Sequence, residues 1–136
     1  MQPDYSLLVR EPETELIPFC NHYGVGVLPY FPLANGLLTG KYRRGESPPA
    51  GTRLAQNSSS ILDNVNYDLL EQLEDFALKR GHTLLGLAFA WLLSEPLVSS
   101  VISGATKPSQ VVENANSVEW QLTEEELCEI RSIIGP

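Results

Sequence analysis

The chain has 136 residues, 43% of them hydrophobic and 19% charged, which is the composition of an ordinary folded domain and excludes a disordered or low-complexity polypeptide. Nine Lys and Arg against seventeen Asp and Glu leave a net charge of −8, so the field of the chain opposes nucleic acid and anionic membrane surfaces as partners. One bound phosphate group remains compatible with that charge, because a local cation and backbone dipoles outweigh a distributed field at close range.

The first residues, MQPDYSLLVREPE, lack a basic region followed by an apolar stretch, so they do not read as a signal peptide. Residues 13–23 place Leu16, Ile17, Cys20 and Tyr23 at helical spacing, with Gly24 as a stop. Pro18, which costs roughly 3 kcal/mol inside a helix, predicts either a kink or a later start. Residues 25–30, VGVLPY, predict a compact strand that leaves its sheet at Pro29-Tyr30. From Phe31 to Leu62 the composition shifts to Gly, Pro, Ser and Asn, longer than most connections, which predicts a functional or mobile loop.

Residues 66–80 form the clearest helical pattern, with Leu69, Leu70, Leu73, Phe76 and Ala77 in one stripe, Asn66 as cap and Gly81 as stop. Thr83 caps a second helix that runs to Ser94 and is apolar on nearly every side, so its contacts must come from several directions. Its apolar run from Leu84 to Leu93 falls short of the about 20 residues that span a bilayer, which predicts a buried helix. A strand over 98–102 breaks at Gly104, and a helix begins at Pro108 and runs to about Ala115. The last helix opens with the capping box Thr123-Glu124-Glu125-Glu126, and Leu122 with Leu127 make a hydrophobic staple. Cys20 and Cys128 stand in no metal-ligand or CxxC spacing, so a reduced, cytoplasmic setting fits them best.

This alternation of strands and helices predicts an α/β protein with parallel strands. Two or three such strands cannot bury both faces of a doubly wound sheet or close a barrel, so the chain reads as part of something larger. Its raw sheet edges would favour self-association. Within it, the segment 99–114, SSVISGATKPSQVVEN, joins a strand, a small-residue turn and a helix start bearing the Thr106 hydroxyl and the Lys107 cation. First-turn N–H groups lack intrahelical partners, so this arrangement predicts an anion cradle and points to phosphate.

Four spaced motifs then occur in order: Gln2-x-x-Tyr5 with Leu7 and Arg10; Gly24 to Tyr30; Pro32-Leu33-Ala34 with Gly36 to Tyr42; and Ile102-x-Gly104-Ala105-Thr106-Lys107 with Gln110, Glu113 and Asn114. Together they resemble the C-terminal half of an aldo-keto reductase, a family of NADPH-dependent (β/α)8 TIM barrels, and the match runs over nearly the whole chain. The resemblance implies one domain over residues 1–136, a partial barrel of about three parallel strands with their helices. It also implies an oxidoreductase that, when intact, moves a hydride between NADPH and an aldehyde or ketone.

In that family the residue matching Gln2 hydrogen-bonds the nicotinamide carboxamide, and the residue matching Tyr30 stacks on the nicotinamide ring. The segment matching Pro32, Leu33 and onward to Lys41 carries the pyrophosphate, and Arg53 is a further cofactor contact by a looser match. Thr106 and Lys107 match the positions that bind the adenosine 2′-phosphate, Gly104 just before them is counted with the cofactor site, and Gln110, Glu113 and Asn114 match residues that contact ribose and adenine. Taken singly, Gln2 and Lys41 would read as solvated polar residues, Tyr30 as packing at a strand end, and the last three as one polar helix face.

Two positions depart from the family pattern. Phe31 stands where serine is usual and would crowd the nicotinamide or pyrophosphate pocket; Ser103 stands where proline is common and would loosen the turn. The resemblance places the proton-donating tyrosine, with its lysine, aspartate and histidine, in the N-terminal half of the barrel, so no catalytic residue is expected here. Lys41-Tyr42 are not candidates, since adjacent side chains are not expected to face one site, and His22 and His82 read as surface residues. A non-catalytic nicotinamide-binding or regulatory protein on the same scaffold is the alternative, as some members of the family serve channels as subunits.

Overall fold

The computed structural model describes residues 1–52, 54–55 and 59–135. Three extended segments run parallel, with Asp4 bridged to Tyr30 and Val27 bridged to Val98, so the segment 25–30 lies in the middle. Leu28 and Tyr30 donate their N–H groups to the carbonyls of Met1 (2.8 Å) and Pro3 (2.9 Å), on one side. On the other, Val27 donates to Leu97 (2.8 Å), while Ser99 and Ile102 donate to Val27 and Pro29 (3.0 Å each). A Cβ at Gly26 would meet the Ser99 hydroxyl, which would have to turn aside.

The sheet therefore continues through Pro29-Tyr30, contrary to the expectation from the proline. Val27 and Pro29 face the third segment, and proline lacks only the donor; its carbonyl still takes the Ile102 N–H. The missing donor accounts for pairing there by isolated bridges in place of a longer ladder.

In chain order the helices include α1 (Leu16–Tyr23), α2 (Ser59–Leu62), α3 (Tyr67–Leu78), α4 (Leu84–Leu93), α5 (Pro108–Asn116) and α6 (Glu124–Ile134). Helix α1 takes the later start, which puts Pro18 in its first turn, where the missing N–H would have had no partner. It ends at Gly24, whose φ of 65° reverses the chain into the central segment. Helix α3 is capped as expected, Asn66 Oδ1 accepting from the Leu69 N–H at 3.1 Å. The Thr123–Glu126 box closes at 2.8 and 3.2 Å, with Leu127 buried beneath α6. The stretch after Phe31 is not a plain loop: it contains a 3-10 segment at Ala34–Thr39 and then α2.

Helix α4 is buried from Leu84 to Leu92 and packs against α3, the Ala34–Thr39 segment and the short turn Ser117–Glu119, so its contacts do come from several directions. Leu73, Leu87, Leu92 and Ile130 are fully buried in one core with Tyr5, Leu7, Val27 and Leu38, each large aliphatic contributing about 1.5–3 kcal/mol by removal from water. Arg80 fastens α3 to α6, lying over the Phe76 ring at 3.7 Å and pairing with Glu126 and Glu129. His22 is exposed, but His82 is half-buried and stacks on Trp120 with ring centroids 4.0 Å apart, so it is not a free surface residue.

Candidate functional site

Parallel segments bring their C-terminal ends to one side, and loops grafted there are the usual place for a ligand in an α/β fold. A cleft of about 700 Å³ opens at that position. Its walls come from Tyr30–Leu33 at the end of the central segment, the coil through Lys41 and Tyr42, and the connection from Ile102 into α5. Of the residues singled out by sequence, Tyr30, Pro32, Leu33, Lys41, Gly104, Thr106, Lys107, Gln110, Glu113 and Asn114 line this one cleft. Gln2 does not line it: it is exposed on the first segment, between the two carbonyls that pair with Leu28 and Tyr30. Arg53 lies outside the described residues.

The backbone around the cleft is coiled by left-handed residues, Phe31 (φ 53°), Ala34 (46°), Asn35 (59°), Gly36 (99°) and Gly40 (73°). A non-glycine residue there costs about 1–2 kcal/mol, so three of them in five positions is a concentration of strain of the kind found at ligand sites. The coil is held by Ala34 N–H to Phe31 carbonyl (2.8 Å), Gly36 N–H to Leu33 carbonyl (2.8 Å) and Thr39 Oγ1 to Gly36 carbonyl (2.6 Å). Phe31 packs edge-on against Tyr30, ring centroids 5.1 Å apart, and both rings remain partly exposed at the cleft.

Ser103 Oγ accepts from Asn114 Nδ2 at 3.0 Å, a bond between the turn and α5. One expectation is corrected. Lys41 and Tyr42, although adjacent, both line the cleft: the chain turns at Gly40, and the Tyr42 ring is buried against Gly36. The cradle itself is also filled from within. Gln110 Oε1 accepts from the Thr106 N–H (2.8 Å), the Thr106 hydroxyl (3.1 Å) and the Lys107 N–H (3.2 Å), so three donors converge on one neutral oxygen.

Charge at the cleft runs against that of the chain, with Lys41 and Lys107 set against Glu113 as its charged lining residues. Among the described residues neither lysine has an ion-pair partner. Beside Tyr30 in the sheet, Asp4 has a buried Oδ1 without a hydrogen-bond partner; burial, and then the charge of Glu11, raises its carboxyl above the usual range. Tyr5 is pushed far above the ordinary phenol range, by burial first and then by Glu13, whose carboxylate accepts its hydroxyl at 3.0 Å. An elongated ligand with an aromatic end and anionic groups fits this donor set.

Asn35 and Thr39, inside the segment from Pro32 to Lys41, also line the cleft; sequence reasoning missed Ala50, Gly51, Thr52 and Leu85, which line it too. Leu85 carries no signal, being one apolar residue in a helix apolar all round.

The sequence profile of the Aldo/keto reductase family matches residues 1–135. The chain belongs to that family. A probable voltage-gated potassium channel subunit beta from Arabidopsis thaliana is 41% identical over 124 residues, 87% of this chain and 38% of that protein. An NADH-specific methylglyoxal reductase from Escherichia coli is 35% identical over 136 residues, 98% of this chain and 41% of that protein. Among solved structures, a glycerol dehydrogenase from Gluconobacter oxydans superposes with a TM-score of 0.80 at 30% identity, covering 98% of this chain and 41% of the other. The chain thus spans about two fifths of the length of these relatives. The family fold is a (β/α)8 barrel; among the described residues this chain shows three parallel segments joined by isolated bridges.

Proposed function

We propose that this chain is the C-terminal part of an NADP-dependent aldo/keto reductase barrel and forms the cofactor-binding part of its site. The observation that carries this reading is a cleft in a chain of net charge −8 with two lysines that have no acidic partner among the described residues. The aromatic pair at its other margin supports the same reading. Lys41 and the coil from Pro32 would hold the pyrophosphate, Tyr30 would pack on the nicotinamide, and Gln110, Glu113 and Asn114 would face the adenosine. Thr106 and Lys107 would take the 2′-phosphate, Gln110 surrendering the donors it now occupies. The bound nicotinamide would supply the hydride for an aldehyde or ketone.

In this reading the proton donor comes from the N-terminal half of the barrel, and the protein works in the cytoplasm, where Cys20 and Cys128 stay unpaired. The unsatisfied sheet edges pair with the remaining strands of the barrel or, failing that, with a second copy. Titration of the chain with NADPH, followed by cofactor fluorescence, is expected to saturate; no binding at millimolar cofactor would leave only common ancestry. The chain alone is expected to reduce no carbonyl, and turnover of NADPH with a reactive aldehyde would overturn that.

A second reading, a nicotinamide-binding subunit without catalysis, is favoured by the relatives from Arabidopsis thaliana and rice that are named as potassium channel β subunits, 41% and 40% identical. A potassium channel in complex with the protein and an unchanged NADPH affinity would distinguish it.

A further inference from the structure

We propose that Glu74, on α3 and away from the cleft lining, is a positioning residue that fixes Lys41 in the cleft through Arg43. The inference rests on the cofactor reading of the cleft. One carboxylate lies beside the chain before Lys41 and is bonded by it after Lys41. On the near side, Gly40 passes so close to Glu74 that a Cβ there would stand 3.1 Å from Oε1, and its φ of 73° sets the turn. On the far side, Arg43 grips the same carboxylate with two guanidinium nitrogens, Nη2 at 2.9 Å from Oε1 and Nη1 on Oε2.

The fork geometry fixes orientation as well as distance, which a lysine in place of Arg43 would not do. Glu74 is the better buried partner, its side chain 17% exposed against 49% for Arg43, so water competes less for it than for an ordinary surface pair. Between the two contacts Tyr42 is packed inward, and Lys41 is left exposed on the cleft side with no acid of its own among the described residues. The neighbouring Arg44 reaches Asp68 and Glu71, but those groups are all open to solvent and carry little orientation. Helix α3 therefore sets where the backbone at Lys41 runs, and with it the point from which the lysine reaches into the cleft, although neither Arg43 nor Glu74 is among the described lining residues.

The test is a double-mutant cycle on NADPH affinity with Glu74→Gln and Lys41→Ala, supported by the charge-exchanged pair Arg43→Glu with Glu74→Arg. Glu74→Gln is expected to weaken NADPH binding about three- to tenfold, with little further loss when Lys41 is already alanine. The exchanged pair is expected to recover much of the loss, which a merely misfolded helix would not. Additive effects, or binding by Glu74→Gln equal to that of the parent chain, would overturn the proposal. If the parent chain binds no NADPH, the cofactor reading fails and the positioning is read without ligand. Trypsin cleavage after Lys41, followed by mass spectrometry at unchanged thermal stability, is expected to speed up in Glu74→Gln and slow again in the exchanged pair. An unchanged cleavage rate in Glu74→Gln refutes the clamp itself.

Discussion

Replacing Lys107 by glutamine should separate NADPH from NADH. Lys107 precedes the first turn of α5, is exposed, and has no ion-pair partner among the described residues, so its charge is free for a ligand. An ammonium about 4 Å from a phosphate of nearly two charges gains about 2 kcal/mol in a water-like medium and several times more in a drier one. Exposure and salt screening bring the lower figure down to about 1–2 kcal/mol. Glutamine keeps a donor on a side chain one bond shorter but not the charge, so the NADPH dissociation constant should rise about 5- to 30-fold. NADH has no 2′-phosphate and should bind within about twofold of the parent chain, since the remaining contacts are untouched. The assay is fluorescence titration of both cofactors at two ionic strengths, and the parent's salt dependence for NADPH should be steeper than that of the variant. An equal loss for both cofactors, or none for either, would refute the assignment of Lys107 to the phosphate.

The other predictions concern the fold that carries the cleft. Leu73→Ala removes a fully buried side chain between α3 and the core and should cost about 2–5 kcal/mol in urea unfolding, the upper end if the cavity stays open. Tyr5→Phe should cost about 1 kcal/mol at neutral pH through the lost bond to Glu13. Because folding raises the Tyr5 pKa, the stability due to its protonated form is complete below about pH 10 and lost as pH rises beyond, so the variant should decline less steeply in alkali. Asp4 has the same sign at lower pH: with its folded pKa raised, its contribution is full below the usual carboxylate range and is lost as pH rises through the folded value. Asp4→Asn should therefore raise the melting temperature at about pH 7 and leave it unchanged at about pH 3; a variant destabilised at both would refute burial as the cause.

What the sequence made legible follows from how local each signal is. The Thr123 box, the Asn66 cap and the Gly24 stop depend on groups within four residues of one another, and all three form where the pattern places them. Pro18 was ambiguous because a kink and a first-turn position use the same missing donor. Pro29 misled because whether the absent N–H matters depends on the neighbouring segment, about 70 residues away in the chain, and not on the residues around it. The His82–Trp120 stack and the Ser103–Asn114 bond are likewise long-range or cross-element contacts, without a spacing that sequence alone can read. At the cleft, ten candidates arrived as short motifs and were brought together, whereas Leu85 entered only because α4 packs beneath the coil.

That convergence has a simple structural cause. Two of the cleft's walls, 30–42 and 102–114, are far apart in sequence, yet they follow the two extended segments joined by the Val27–Val98 bridge. Neighbouring parallel segments deliver the connections that follow them to the same edge, so one local pairing suffices to set both walls. The first segment contributes Asp4 beside Tyr30, but among the described residues nothing from it lines the cleft. The proposed cofactor grip thus draws on two adjacent segments, and in that proposal acid–base chemistry on the substrate would come from elsewhere in the barrel. A substitution that breaks the Val27–Val98 register should accordingly abolish binding along the whole cleft at once, whereas changes on the first segment should leave the phosphate end intact.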